Sequence, residues 1–386
     1  MPYSPSKRAE AVQSPIIPVI AQAIREHPGT LSLGQGVVYY PPPTAVFDAI
    51  DALAREPELN KYQAVHGADA LIAAITTKLA HDNAIVPGTE QRIVVTAGGN
   101  MAFLNVVLAV CDPGDEVILP LPYYFNQEMA ITLASATPVG VPTAADYQLD
   151  VEAIARAITP RTRAVVTVSP NNPTGAVYSR ASLAAVNALC LERGLYHVSD
   201  EAYEYFVHEG DASFSPGSLP DAGRHTISLY SLSKAYGFAS WRVGYMVIPV
   251  HLYPAIAKIQ DTNLICPPMV SQLAAVVALA AGAQWCAPRI AALTAVREAV
   301  LAALQPLEPR VTVPRTRGAF YCLLRVADGG DSLALARRMI ASHRVAVIPG
   351  VAFGVDEPCL LRVSYGALDR ASVETAVGRL VSALRT

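Results

Sequence analysis

The sequence predicts an α/β architecture: a mostly parallel sheet covered by helices on both faces, with a smaller α+β domain attached. Three observations carry this expectation. Short apolar, β-branched runs alternate with longer amphipathic ones through the middle of the 386-residue chain, which is the pattern of strands joined by crossover helices. Near residue 270 the pattern changes, and a long alanine-rich run leads into shorter alternating segments. The hydrophobic fraction of 52% against 16% charged supplies a large core and excludes a disordered chain.

Taken in order, QRIVVTAG (91–98) reads as a strand and 101–110 as a helix. DEVILP (115–120) is a strand and MAITLASA (129–136) a helix. RAVVTVSP (163–170) is a strand followed by a helix over 180–192. LYHVSDEAY (195–203), RHTISLYS (224–231) and WRVGYMVIP (241–249) complete the strands of the large domain. Beyond 270 a helical run reaches 304, and RVTVP, FYCLLRVA, VAVIPG and LLRVSYG alternate with helices over 332–342 and 371–385. The expected division is a large domain over 45–284 and a small one built from 1–44 plus 285–386.

Composition narrows the function. A net charge of −3 with both signs interspersed provides no basic stripe for nucleic acid. Six cysteines lie scattered without a CxxC pair, so reduced thiols in the cytoplasm are expected rather than disulfides or a metal site. The N-terminal stretch lacks the apolar core of a secretory signal. AAVVALAAGA (274–283) is too short to span a bilayer and reads as a buried helix.

In parallel sheets the ligand lies beyond the carboxyl ends of the strands. The polar endings there are Gly98-Gly99-Asn100, Pro122-Tyr123-Tyr124, the SPNNPTG stretch with Asn172, Asp200, and SLSK ending in Lys234. Singly, each has an ordinary structural explanation: a turn, a helix cap, a surface lysine. A Gly-Gly pair between strand and helix nevertheless points backbone N–H groups at an anion, and the absence of both a Walker lysine and GxGxxG argues against a nucleotide pyrophosphate. Lys234 is walled by Leu232, Ala235, Tyr236 and Phe238, surroundings that lower an amine's pKa and make it nucleophilic. A phosphate cradle, an aromatic ring, an asparagine donor, a carboxylate and a Schiff-base lysine together meet the needs of pyridoxal 5'-phosphate. Arg242, with no acid near it in the segment, then finds its partner in the phosphate.

The motifs SPNNPTGAVY, SDEAYEYFVHEG, SKAYGFASWRVGY and LRVSYG occur in the order and spacing of the fold-type I pyridoxal-phosphate enzymes. Over nearly its whole length the chain resembles the class I/II aminotransferases of the aspartate and aromatic type. The resemblance implies a three-layer sandwich for the large domain and the following roles. Lys234 forms the Schiff base and shuttles the proton; Asp200 pairs with the pyridine nitrogen; Asn172 and Tyr203 hydrogen-bond the phenolic oxygen; Tyr124 stacks on the ring. Gly99, Asn100, Ser231, Ser233 and Arg242 surround the phosphate. Tyr62, in NKYQAVHGADAL, reaches the phosphate of a neighbouring subunit, which implies a homodimer. Arg362 clamps the substrate's α-carboxylate, with Asn172 and the backbone of Gly36 beside it.

Two departures bear on specificity. Val37, Val38, Tyr39 and Tyr40 stand where the family usually has an acidic turn, so two tyrosines are expected over the pocket. Asn100 replaces a lysine that attracts dicarboxylates in some relatives. The implied activity is amino-group transfer between an L-amino acid (aromatic, aspartate or similar) and a 2-oxo acid. A β-lyase, racemase or oxidase would share nearly all the cofactor residues. A cofactor-sensing regulator domain is disfavoured, because only 30 residues precede LSLGQG.

Overall fold

The computed structural model describes residues 3–210, 212–355 and 358–385. Among these, the large sheet comprises Gln91–Thr96 (β1), Glu116–Leu121 (β2), Thr137–Pro142 (β3), Thr162–Val168 (β4), Tyr196–Asp200 (β5), Thr226–Ser231 (β6) and Gly244–Pro249 (β7). Their order across the sheet is β1-β7-β6-β5-β4-β2-β3. Only β7 runs against the rest, pairing antiparallel with β1 and β6, while the other neighbours are parallel. The carboxyl ends of β1, β2, β4, β5 and β6 therefore open onto one side, and the α/β expectation holds. Almost every residue of β2, β4, β6 and β7 is buried, as helices on both faces require.

Boundaries moved where a local rule outweighed hydrophobicity. β3 has no counterpart among the expected strands; it contains Pro138, Gly140 and Pro142 and is an edge strand, where a missing N–H costs least. The helix expected over 129–136 runs Phe125–Leu133, so it begins directly after Tyr124. The run expected as strand from 241 starts only at Gly244. Residues Ala239–Trp241 form a 3₁₀ turn, and Arg242 follows in the left-handed region at φ 54°. Likewise 195–203 pairs only over Tyr196–Asp200, which leaves Tyr203 on the turn beyond.

A second, four-stranded sheet is antiparallel, with Cys359–Ser364 flanked by Tyr321–Val326 and Ile348–Pro349. The expected VAVIPG strand splits: Val345–Ala346 pairs in parallel with Leu31–Ser32, and Ile348–Pro349 joins the antiparallel sheet. A helix over Met269–Leu304 links the two regions and bends at Gly282 (φ 65°). Its apolar stretch is buried on one face only: Ala274, Ala275, Ala278 and Leu279 are buried, while Val276, Ala280 and Ala283 line a surface cleft. The segment Met269–Leu307 is long and apolar enough to cross a membrane, with 39% of its most apolar window buried inside the fold. Buried apolar side chains of both sheets and the linking helix form one continuous cluster.

Candidate active site

Beyond the carboxyl ends of the parallel strands lies a cleft of about 450 Å³ lined by Gly99, Asn100, Tyr124, Asn172, Asp200, Tyr203, Ser231, Ser233, Lys234 and Arg242. These are ten of the residues singled out from sequence. Most arrive from the carboxyl ends of five strands: Gly99 past β1, Tyr124 past β2, Asn172 past β4, Asp200 as the last residue of β5 and Lys234 past β6, while Arg242 lies just before β7.

At one end the donors are those that suit a phosphate. Helix Gly99–Val110 starts here behind Gly98 (φ 87°), and its first N–H groups lack partners within the helix. Glycine suits 98 because of this positive φ, and a Cβ there would displace the Arg242 guanidinium, whose Nη2 would lie 2.3 Å from it. The left-handed turn at Arg242, uncommon for a residue with a Cβ, brings its guanidinium back toward this corner. Nη1 donates to the Ala239 carbonyl at 2.9 Å and the Ser233 hydroxyl at 3.4 Å, and Nη2 to the Ala97 carbonyl at 3.3 Å. The Ser231 hydroxyl accepts from the Ser233 N–H at 3.2 Å.

In the middle stand the amine and the carboxylate. Lys234 Nζ donates to the Gly36 carbonyl at 2.6 Å. Burial, reinforced by the Arg362 and Arg242 charges and opposed by Asp200, lowers its pKa to about 8. Asp200 is raised to about 6 by burial, against the hydrogen bonds of Ala202 and Gln127 and the charge of Lys234. The Gln127 amide donates to Asp200 Oδ2 at 2.8 Å and the Ala202 N–H to Oδ1 at 3.2 Å. Gln127 was not anticipated: it lies within the helix after Tyr124, and sequence spacing gives no sign that it faces the end of β5. Its own Oε1 is buried without a hydrogen-bond partner.

At the far end Arg362, 2% exposed, is held in the small sheet between Leu323 and Ile348. Its Nη1 donates to Asn172 Oδ1 at 2.8 Å and Nη2 to the Gly34 carbonyl at 2.6 Å. Its Nε is buried without a partner, an arrangement that suits an incoming carboxylate. The guanidinium packs over the rings of Tyr321, 4.6 Å away, and Phe353, 5.3 Å away. Asn172 Nδ2 donates to the Tyr203 hydroxyl at 3.4 Å, and Tyr203 meets the Tyr321 hydroxyl at 2.8 Å. Burial raises the pKa of both phenols, so each keeps its proton at neutral pH. The Tyr124 hydroxyl donates to Asn100 Oδ1 at 3.3 Å.

The expectation for the Val37–Tyr40 segment resolves differently. Of the Val37–Tyr40 segment only Val37 lines the cleft. Tyr40 turns into the core, where its hydroxyl donates to the Ala235 carbonyl at 3.1 Å and its ring meets Trp285 edge-on. Tyr39 packs edge-on against Tyr40 and stays 45% exposed, so the pair does not roof the pocket within this chain. Tyr62 lies outside the cleft with its residue 80% exposed.

Residues 28–380 match the family model for aminotransferase class I and II. The chain belongs to this aminotransferase family. The aminotransferase is 32% identical over 384 residues to the aromatic aminotransferase ISS1 of Arabidopsis thaliana, covering 97% of this chain and 95% of that one. It is 31% identical over 401 residues to an aspartate/prephenate aminotransferase of Nitrosomonas europaea, covering 98% and 99%. Among solved structures, the Thermus thermophilus aspartate aminotransferase with maleate superposes with a TM-score of 0.90 at 30% identity, over 99% of this chain and all of that one. The fold is thus that of the fold-type I enzymes, and the aminotransferase is a transaminase.

Proposed function

We propose that this aminotransferase holds pyridoxal 5'-phosphate along the cleft and prefers aromatic or other neutral L-amino acids over dicarboxylic ones, with a 2-oxo acid as acceptor. The observation that carries the cofactor reading is the donor set. The Lys234 amine, lowered to about 8, stands between an anion cradle of Gly99, Ser231, Ser233 and Arg242 and the partly unsatisfied guanidinium of Arg362. The fit is good in kind and in size, since cofactor sites usually enclose about 300–1,000 Å³.

When bound, the cofactor supplies an aldehyde that takes up nitrogen and a ring that accepts the electron pair released at the substrate's α-carbon. The protein's part follows from its own groups. Asp200 holds a proton on the ring nitrogen, where a carboxylate is needed as counter-ion. Tyr124 would cover the ring face, and Asn172 and Tyr203 would offer donors to the phenolic oxygen. The Lys234 amine, with a pKa near working pH, accepts and returns the α-proton. Arg362 would bind the α-carboxylate bidentately and so orient the α-carbon toward Lys234.

The neutral preference rests on the open side of the cleft. Lys234 and Arg242 are the cations among the described residues lining it, with Arg362 at its far end; the first two have cofactor roles in this reading and Arg362 takes the α-carboxylate. Val37 and Asn100 add no positive charge for a second carboxylate. The exposed Tyr62 and Phe47, with the apolar surface cleft of Ala74, Val276, Leu279, Ala280 and Ala283, support a homodimer in which Tyr62 reaches the partner's phosphate. Six free thiols fit a cytoplasmic location.

A single-turnover screen tests this reading. Holoenzyme is mixed with each amino acid in turn, and conversion of the visible cofactor band to the amine form is timed. Phenylalanine and tyrosine should convert at least about tenfold faster than aspartate, the discrimination expected when a buried carboxylate lacks a partner. Faster conversion by aspartate would refute the neutral preference. Release of ammonia and pyruvate without conversion would favour elimination over transfer.

A further inference from the structure

Tyr321 is the first residue of the Tyr321–Val326 strand in the small sheet. In the fold it touches three parts of the site at once. Its hydroxyl is 2.8 Å from that of Tyr203. Its ring lies 4.6 Å from the Arg362 guanidinium. Its oxygen also crowds the backbone at Gly36, where a Cβ would stand 2.6 Å away, so the glycine makes room for it.

Donor arithmetic decides what the hydroxyl does. A phenol gives one proton and accepts up to two. Arg362 Nη1 donates to Asn172 Oδ1, which orients the amide and leaves Nδ2 to donate to Tyr203. If Tyr203 gave its proton to Tyr321, it would have nothing to offer a group in the cleft. If Tyr321 donates, Tyr203 accepts twice and its own proton is free, and two incoming hydrogen bonds make it a stronger donor. Meanwhile the Tyr321 ring, 4.6 Å from the Arg362 guanidinium, and the Phe353 ring, 5.3 Å from it, both pack on this cation.

We propose that Tyr321 is a positioning residue with two separable functions: its hydroxyl donates to Tyr203, freeing the Tyr203 proton for the cofactor's phenolic oxygen, and its ring holds Arg362 in the plane that receives the substrate carboxylate. The proposal rests on the placement of Tyr203 beside that oxygen, and the test separates the two.

Two measurements on holoenzyme suffice: the pH midpoint of the cofactor's visible absorption change, and the Kd of 3-phenylpropanoate, an unreactive carboxylate probe for Arg362. A weaker donor leaves the phenolic oxygen more basic, so Tyr321→Phe should raise the midpoint by roughly half to one unit, the equivalent of one neutral hydrogen bond. Its Kd should stay within about twofold, because the ring is kept. Tyr321→Leu should raise the midpoint equally and also weaken the probe by roughly fivefold or more, through loss of the ring over the cation. Tyr203→Phe is the reference and should shift the midpoint further. A shift in Tyr203→Phe without one in Tyr321→Phe would overturn the hydroxyl function alone. No shift in either would overturn the placement of Tyr203 and the hydroxyl function with it. Equal probe affinity in Tyr321→Phe and Tyr321→Leu would overturn the ring function.

Discussion

Removing the Gln127 amide should change the charge on Asp200. The Asp200 carboxyl already sits at about 6 because burial outweighs the hydrogen bonds and charges that favour its anion. One of those bonds is the 2.8 Å donation from Gln127 Nε2 to Oδ2. A hydrogen bond to a charged group contributes about 1.5–3 kcal/mol, or about one to two pKa units. Gln127→Leu, which keeps the helix and approximately the volume, should therefore move Asp200 to roughly 7–8 in the apoenzyme. The ionised fraction at pH 7 would fall from about nine-tenths to between one-tenth and one-half. Infrared titration of apoenzyme reads this directly, with the protonated-carboxyl band assigned by its loss in Asp200→Asn. Gln127→His, which retains a donor, should lie nearer the wild type. A midpoint in Gln127→Leu within about 0.3 unit of wild type would show that the contact does not control the carboxylate.

Two further outcomes follow from buried charges. Arg362→Lys replaces a fork by a point charge, so KM should rise roughly 10- to 100-fold for every amino acid alike, as for one lost charged hydrogen bond; a rise confined to acidic substrates would place Arg362 elsewhere in binding. Glu201 is 1% exposed, and burial raises it from 4.5 to about 8, with the Ser215 hydroxyl opposing and the Glu204 charge adding. A carboxyl whose folded pKa is raised gives stability that is complete below its unfolded value and is lost as pH climbs through the folded one. Wild-type stability should fall between about pH 4.5 and 8, by at most about 5 kcal/mol from this group. Glu201→Gln should flatten that fall in urea unfolding midpoints, and an unchanged slope would rule Glu201 out as its source.

The sequence by itself determined the parts that obey local rules. Apolar β-branched runs mark strands that parallel pairing buries on both faces, and the residues where those runs turn polar face whatever lies at their carboxyl ends. Gly99, Tyr124, Asn172, Asp200 and Lys234 were legible for that reason, Arg242 for its want of an acidic neighbour in the segment, and four motifs in ordered spacing pointed to the family. Arg362 was legible from its motif, although it sits inside an apolar run. Tertiary structure alone decided the contacts that cross between elements distant in the chain. Gln127 and Tyr321 lie within a helix and a strand, and nothing near them in sequence marks them as polar partners; they meet Asp200 and Tyr203 because a helix packs over the end of β5 and the small sheet packs against the turn after it. Packing also chose between two equivalent neighbours, turning Tyr40 onto Trp285 and leaving Tyr39 exposed. It set β3 at an edge, where its prolines lose no ladder bonds, and bent the long helix at a glycine able to take a positive φ. Hydrophobic periodicity records which face of an element is buried, but the partner on that face is fixed only when the whole chain has folded.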